Sequence, residues 1–466
     1  MKARDIRALG IPDGRSLELA IELARSAGRG RRAAGALRDR LRRVAAAPEA
    51  FVDDDELGPL AAALVARRTA RASFEPRAVP APFRQWGSDL EATSVRQMEN
   101  ACALPVSVRG ALMPDAHQGY GLPIGGVLAV RNAVIPYAVG VDIACRVKMS
   151  VFDLPPATID DDLNRLKTAI ARETRFGIGA HFKDRRRRHD VMDADWSVTP
   201  VTAQLKDRAW SQLGTSGSGN HFVEFGVITV GDGELPLERG EYLALLSHSG
   251  SRGAGATIAS HYSRLAMRRR AELPRELTHL AWLDLDSEEG QQYWSAMTLM
   301  GEYAAANHAC IHAAIAEHLG AEVLYALENH HNFAWKEEHD GELLVVHRKG
   351  ATPAGAGVLG IIPGSMATPT YVVRGRGNEA SLRSSAHGAG RVMSRTRAKK
   401  ELSWQKAREL LARRRVTLMS AGLDEVPAVY KDIDAVMRAQ ADLVDPIAKF
   451  QPRLVKMAPP GERPED

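Results

Sequence analysis

Apolar residues recur at helical spacing through the first 72 residues: Leu37, Leu41 and Val44, then Leu57, Leu60 and Leu64, in a stretch rich in Ala, Arg and Leu. This pattern predicts two or three short helices. Pro76, Pro80 and Pro82 follow within the segment Ser73 to Trp86, each lacking an amide donor and pushing its predecessor toward extended backbone. An extended linker is expected there, with residues 1–80 forming a helical region plus linker and residues 81–466 a larger domain.

Beyond the linker the period changes. Val127 to Val134, Arg146 to Leu154, His221 to Thr229 and Glu241 to Ser247 are short runs rich in Val, Leu, Ile and Phe, which predicts strands. Ile159, Leu163, Leu166 and Ile170 mark one helix, and a longer one is expected over about Glu288 to His318. Asp340-Gly341 before the run Glu342 to His347 predicts a hairpin. Helices are expected near Ser403 to Arg415 and Glu425 to Leu443, then an extended piece to Lys456. The fold class is therefore α/β, mixed sheets with helices.

Composition narrows the function classes. The chain has 466 residues, 45% hydrophobic, enough for a sizeable core, and no apolar run near the ~20 residues that cross a bilayer. Three cysteines, Cys102, Cys145 and Cys310, cannot build a disulfide framework, and the opening MKARDIRALGIPDG lacks the apolar stretch of a signal peptide. A cytoplasmic protein without a membrane partner is expected. The net charge of +5 is mild and permits a nucleic-acid or nucleotide partner without demanding one.

The chemistry-bearing residues fall at the ends of apolar runs, beside glycines. In VIPYAVGVDIACRV, Asp142 and Cys145 sit three apart in a segment too apolar for a solvated loop; a divalent metal would satisfy both, and a capping Asp beside a small buried Cys is the competing reading. LGTSGSGNHFVEFG delivers Asn220 and His221 from a glycine loop into the run holding Glu224, and LALLSHSGSRG puts His248 at the end of a strand-like run. ENHHNFAWKEEH offers His330, His331 and Asn332, and SSAHGAGRVMSR sets His387 among small residues with Arg391 nearby. One Asp, one Cys and several loop-borne His match manganese or zinc better than magnesium or calcium. His308 and His312 share a helix face but read as core packing, and the basic runs Arg185 to Arg188 and Arg268 to Arg270 read as solvated faces or RNA contacts.

Taken in order, MPDAHQGYGLPIGG, YAVGVDIACRV, GNHFVEFG, HSGSRG, VHRKGAT, PGSM and HGAGRVMSR resemble the signature blocks of the RtcB family of RNA ligases, from about residue 83 to Lys456. The resemblance implies a family-specific α/β catalytic domain. It also implies a GTP- and Mn-dependent enzyme that joins RNA 3′-phosphate or 2′,3′-cyclic phosphate ends to 5′-hydroxyl ends, as in RNA repair or tRNA splicing. His387 would carry GMP covalently before GMP passes to the RNA 3′-phosphate. Asp142, Cys145 and His221 would hold one of two manganese ions, and Cys145, His248 and His331 the other. The nucleotide pocket would comprise Asn220, His221, Glu224, His331, Asn332, Pro363, Gly364, Ser365, Met366, Thr370, His387, Gly388, Ala389, Gly390 and Lys456, with Glu224 and Lys456 at the guanine.

Departures from the family pattern bear on substrate choice. Ala144 and Arg146 flank Cys145 where the family typically has glycines, and this Arg would alter backbone clearance or contact phosphate. Ala386 stands where many relatives carry Cys, Gln118 where many carry an aromatic residue, and the N-terminal helical region has no counterpart in the common short form. A divergent paralogue with a specialised RNA is expected, by default a monomer, its need for an activator protein left open. Two competing readings remain: a metal-dependent phosphoesterase that opens cyclic phosphates without ligating, and a non-catalytic RNA binder.

Overall fold

In the computed structural model, which describes residues 1–12, 15–26, 31–72, 74–183 and 187–462, the six apolar residues at helical spacing are all buried. They form one core with Ile6, Ile11 and Leu17. The helices Ala3–Arg7, Arg15–Ser26, Arg31–Ala46 and Gly58–Ala72 supply it. Arg68 closes the end of the third helix, donating to the carbonyls of Ala45 (3.0 Å) and Ala46 (3.1 Å), which have no partner further along the helix. The chain divides into two units, Met1–Pro76 with Ser263–Trp282, and Arg77–Tyr262 with Leu283–Asp466. No described helix is long and apolar enough to cross a membrane.

Ser73 of the expected linker lies outside the described residues, and near its end Phe83–Gln85 forms a strand parallel to Ser107–His117. That pair opens a five-stranded sheet continued by Ile124–Val130, Glu342–Lys349 and Asn332–His339. The last two are the hairpin signalled by Asp340-Gly341. A second sheet runs in the order Leu359–Ile362, Thr370–Gly375, Val444–Met457, Phe222–Val230, Gly240–Ser249, Arg146–Phe152 and Val323–His330. The helix Glu288–Leu319 covers one face of it.

Alternation along these strands decides what each face carries. Val223, Phe225, Leu243 and Leu245 point toward Ile311, Ile315 and Leu319 of the long helix. Val147, Met149, Ala244 and Leu246 point the other way, into a core with Ile361 and Val372. The parity that sends Leu246 and Met149 to this second face also sends His248 and Cys145 there. Ser247 and Ser150 take the helix-covered face.

Three expectations about elements need correction. The helix marked by Ile159 to Ile170 is two, Thr158–Asp161 and Leu163–Glu173, because Asp162 leaves helical backbone at φ −136°, ψ 44°. Glu425 to Leu443 is mostly not helical: Pro427 lacks the donor a continuous helix needs, short 3-10 turns replace the first half, and only Ile433–Ala439 is α-helix, with Asp432 accepting from Asp434 N at 3.0 Å. His330, expected on a loop, is a strand residue, with His331 between the two strands.

Ala144 occupies the left-handed region at φ +56° and is fully buried, its N–H donating to Asn332 O at 2.7 Å. For an L-residue this conformation costs roughly 1–2 kcal/mol, whereas glycine there loses roughly 0.5–1 kcal/mol more chain entropy on folding. Ala144→Gly is therefore expected to raise unfolding stability by about 0.5–1 kcal/mol in denaturant titrations. A loss of stability would show that packing of the Ala144 methyl outweighs the backbone.

Candidate active site

His248 shows most directly what the site can do. Its Nδ1–H donates to the carbonyl of Asn220 at 3.1 Å, since a carbonyl can only accept. In the neutral ring the lone pair is then on Nε2, which lies 3.1 Å from Cys145 Sγ and 3.3 Å from His331 Nε2. Burial pushes His248 down to about 3 and His331 well below the ordinary imidazole range, so both are held neutral, the form that ligates metals. Cys145 Sγ is also 3.4 Å from His221 Nε2, which stands 3.1 Å from Asp142 Oδ2. Two triads of converging donor atoms result, Asp142, Cys145, His221 and Cys145, His248, His331, with the thiol common to both. A soft thiolate with imidazoles and one carboxylate fits a pair of transition-metal ions.

Local backbone makes this convergence possible. Asp142 Oδ1 accepts from Ser251 N at 3.1 Å, and a Cβ on Gly250 would come within 2.1 Å of the Asp142 carboxylate, so only glycine fits there. Burial pushes the Asp142 carboxyl up; the hydrogen bond and charge of His221 outweigh it and hold the group below its usual range. Across the strand ends, His331 N donates to Cys145 O at 3.0 Å, fixing the distance between two ligand-capable residues through the main chain.

A cavity of about 520 Å³ opens beside these groups. Its walls include all five metal candidates, Asn220, Glu224 and Asn332, the Pro363 to Met366 loop, Thr370 and the His387 to Gly390 loop. Lys456 is the exception among the expected residues. Strand alternation turns Val455 and Met457 into the cavity, while the Lys456 ammonium stands over the Phe176 ring, 5.1 Å from its centre. Burial pushes the Glu224 carboxyl well above its ordinary range. His330 stacks on Trp335 and does not line the cavity.

His387 is held by Asp115, which the sequence reading passed over. Asp115 Oδ2 accepts from His387 Nδ1–H at 2.7 Å and from the backbone N–H groups of His387 (3.2 Å) and Gly388 (3.3 Å). The ring is thereby oriented with its lone pair on Nε2. Gly350, at φ +61°, makes room for it, since a Cβ there would stand 3.1 Å from His387 Cε1. Asp115 was findable: it is a lone carboxylate in the apolar strand Ser107–His117 and needs a partner. Lys349 was likewise missed; it lines the cavity, donates to Tyr120 O at 2.6 Å and is pushed down to about 7 by burial.

Other expectations are relocated. Arg146 does not reach the cavity: it lies on the opposite face of its strand, bonding Glu328 (3.0 Å) and His330 Nδ1 (3.2 Å), so it offers no phosphate contact. Arg185 and Arg186 lie outside the described residues, and Arg187 is buried on Glu173 at 2.8 Å rather than on a solvated face. Arg270 stands over Trp282, while Arg268 and Arg269 are exposed.

A family model described as tRNA-splicing ligase RtcB matches residues 97–200 and 189–457. The chain is 34% identical over 397 residues to the RNA-splicing ligase RtcB of Escherichia coli strain K12, covering 79% of this chain and 95% of that one. It is 36% identical over 458 residues to the tRNA-splicing ligase RtcB of Nanoarchaeum equitans (80% and 94% covered) and 32% over 432 residues to the RNA-splicing ligase RtcB of Mycobacterium bovis (76% and 98%). With its matched segments spanning the cavity and both triads, the chain belongs to the tRNA-splicing ligase RtcB family.

Proposed function

We propose that this protein is an RNA ligase, dependent on GTP and manganese, that joins RNA 3′-phosphate or 2′,3′-cyclic phosphate ends to 5′-hydroxyl ends. The observation that carries the reading is the Asp115–His387 pair beside two thiol-sharing triads. An imidazole whose Nδ1–H is fixed by a buried carboxylate presents Nε2 as a nucleophile. In this reading His387 Nε2 attacks the α-phosphorus of GTP, an N–P bond forms, and the bond to pyrophosphate breaks. Water first opens a 2′,3′-cyclic phosphate end, breaking the bond to the 2′-oxygen, and an RNA 3′-phosphate oxygen then takes the GMP and frees His387. The 5′-hydroxyl finally attacks the activated RNA phosphorus and GMP departs.

Asp142, Cys145 and His221 would hold one manganese ion, and Cys145, His248 and His331 the second. Bound there, the ions would supply Lewis-acid neutralisation of phosphate charge. Lys349 donates to the same polyanion, since a phosphate beside it restores the proton that burial disfavours. Glu224 faces the guanine. Burial favours its neutral carboxyl in the free protein, and the N–H donors of a guanine edge favour the carboxylate. RNA is the macromolecular partner, and the cytoplasm the compartment, of this reading.

Three outcomes follow. With manganese and GTP labelled on the α-phosphate, label stays with the denatured wild-type protein and is absent from His387→Ala; cyclic-phosphate opening without label would instead make the protein a phosphoesterase. Asp115→Ala slows labelling on the order of 10³–10⁴-fold, as loss of an orienting carboxylate does in histidine relays; labelling at the wild-type rate would contradict the orienting role. GTP binding releases a proton from Glu224, because its raised pKa in the free protein falls when guanine binds. GTP affinity therefore rises with pH up to the free-protein pKa. Calorimetry in buffers of differing ionisation enthalpy should show this release in wild type and lose it in Glu224→Gln, and equal proton counts in the two would refute the assignment.

A further inference from the structure

His308 and His312 are almost wholly buried on the long helix, and neither lines the cavity. Their hydrogen bonds run in a single determined direction. His308 Nε2–H donates to the carbonyl of Ser249 at 3.1 Å, so in the neutral ring Nδ1 must accept, and Ser247 Oγ–H donates to it at 2.6 Å. With its proton committed, Ser247 Oγ accepts from His312 Nε2–H at 2.8 Å, and His312 Nδ1 then accepts from Ser150 Oγ–H at 2.8 Å. Burial pushes both imidazoles well below their ordinary range, in keeping with neutral rings throughout the chain.

What this chain of bonds grips is informative. Ser247 and Ser249 flank His248 on the strand Gly240–Ser249, and Ser150 belongs to the strand that begins beside Cys145. The neighbouring helix residue, Asn307, accepts from the N–H groups of Gly214 (2.7 Å) and Thr215 (3.2 Å) and donates to Thr215 O (2.9 Å) and Ser249 Oγ (3.3 Å). The loop it holds leads directly into Asn220 and His221. One stretch of one helix, Asn307 to His312, thus ties together three segments that carry Cys145, His221 and His248. Their donor atoms emerge on the far side of the sheet.

We propose that His308 and His312, through Ser247, Ser249 and Ser150, are positioning residues for the metal pair, fixing the Cys145 to His248 spacing from behind the sheet. The proposal rests on the reading of Cys145 and His248 as metal ligands. Polar groups that orient ligands are worth about 10- to 100-fold in metal affinity. Apolar packing would have sufficed if the helix only had to cover the sheet, as Ile311 and Ile315 of the same helix do.

Manganese affinity of the full-length protein, measured by titration with electron paramagnetic resonance of the free ion, tests this. His308→Leu and Ser247→Ala should each weaken manganese binding about tenfold. His308→Gln, which keeps a donor for the Ser249 carbonyl, should recover part of the loss. Ser107→Ala removes an equally buried hydrogen bond, to Ala101 O at 2.7 Å, away from these strands and should bind as wild type. If His308→Leu does not fold, Ser247→Ala decides alone. Wild-type affinity in Ser247→Ala, or an equal loss in Ser107→Ala, would overturn the positioning role. Failure of wild type to bind more tightly than Cys145→Ser would overturn the metal reading itself and the proposal with it.

Discussion

Buried metal-ligating atoms must be held together by the fold itself, because water is not there to satisfy them. At the centre of this protein the Asn220 carbonyl takes the Nδ1 proton of His248, turning its Nε2 lone pair toward the Cys145 thiol at 3.1 Å and a second imidazole nitrogen at 3.3 Å. Burial removes the water that would otherwise solvate these groups and favours the neutral rings. A cation at the convergence point would be held by the same lone pairs. The surrounding structure must hold this arrangement in place whether or not one is bound.

The way it is held is a consequence of sheet geometry. Successive side chains on a strand face opposite ways, so the strand that presents His248 to the cavity presents its neighbours to the long helix. His248 therefore lies between two serines that the helix grips, and Arg146, next to Cys145, is carried to the opposite face, where Glu328 neutralises it. The second functional group, His387, enters from a different part of the chain and is fixed independently by Asp115 on the smaller sheet. In the proposed reading, the larger sheet supplies metal ligands and the smaller one the carboxylate that orients the nucleophile, across a single cavity.

Much of this was legible in the sequence, for identifiable reasons. Short apolar runs between glycines gave strands whose ends agree with the structure to within a few residues, and the Asp, Cys and His residues at those ends do converge. The long helix was visible because its pattern continues without a proline from Glu288 to Leu319. Two kinds of information were hidden. Lys349 lies in a basic block and stands out only by its burial; Asp115 is marked in sequence as a carboxylate needing a partner, but that partner, His387, lies 272 residues away. Lys456 and Arg146 were adjacent in sequence to cavity residues, and strand alternation, which a period-two count would have exposed, points them elsewhere. The apolar spacing from Glu425 to Leu443 predicts helix throughout, but Pro427 starts a 3-10 turn and the α-helix is confined to Ile433–Ala439.

The shared thiol is the central claim, and anomalous scattering at the manganese edge from crystals soaked in manganese tests it most directly. Two peaks are expected, one among Asp142, Cys145 and His221 and one among Cys145, His248 and His331, both within bonding distance of Cys145 Sγ. A single peak away from Cys145, or peaks only at surface carboxylates, would contradict it.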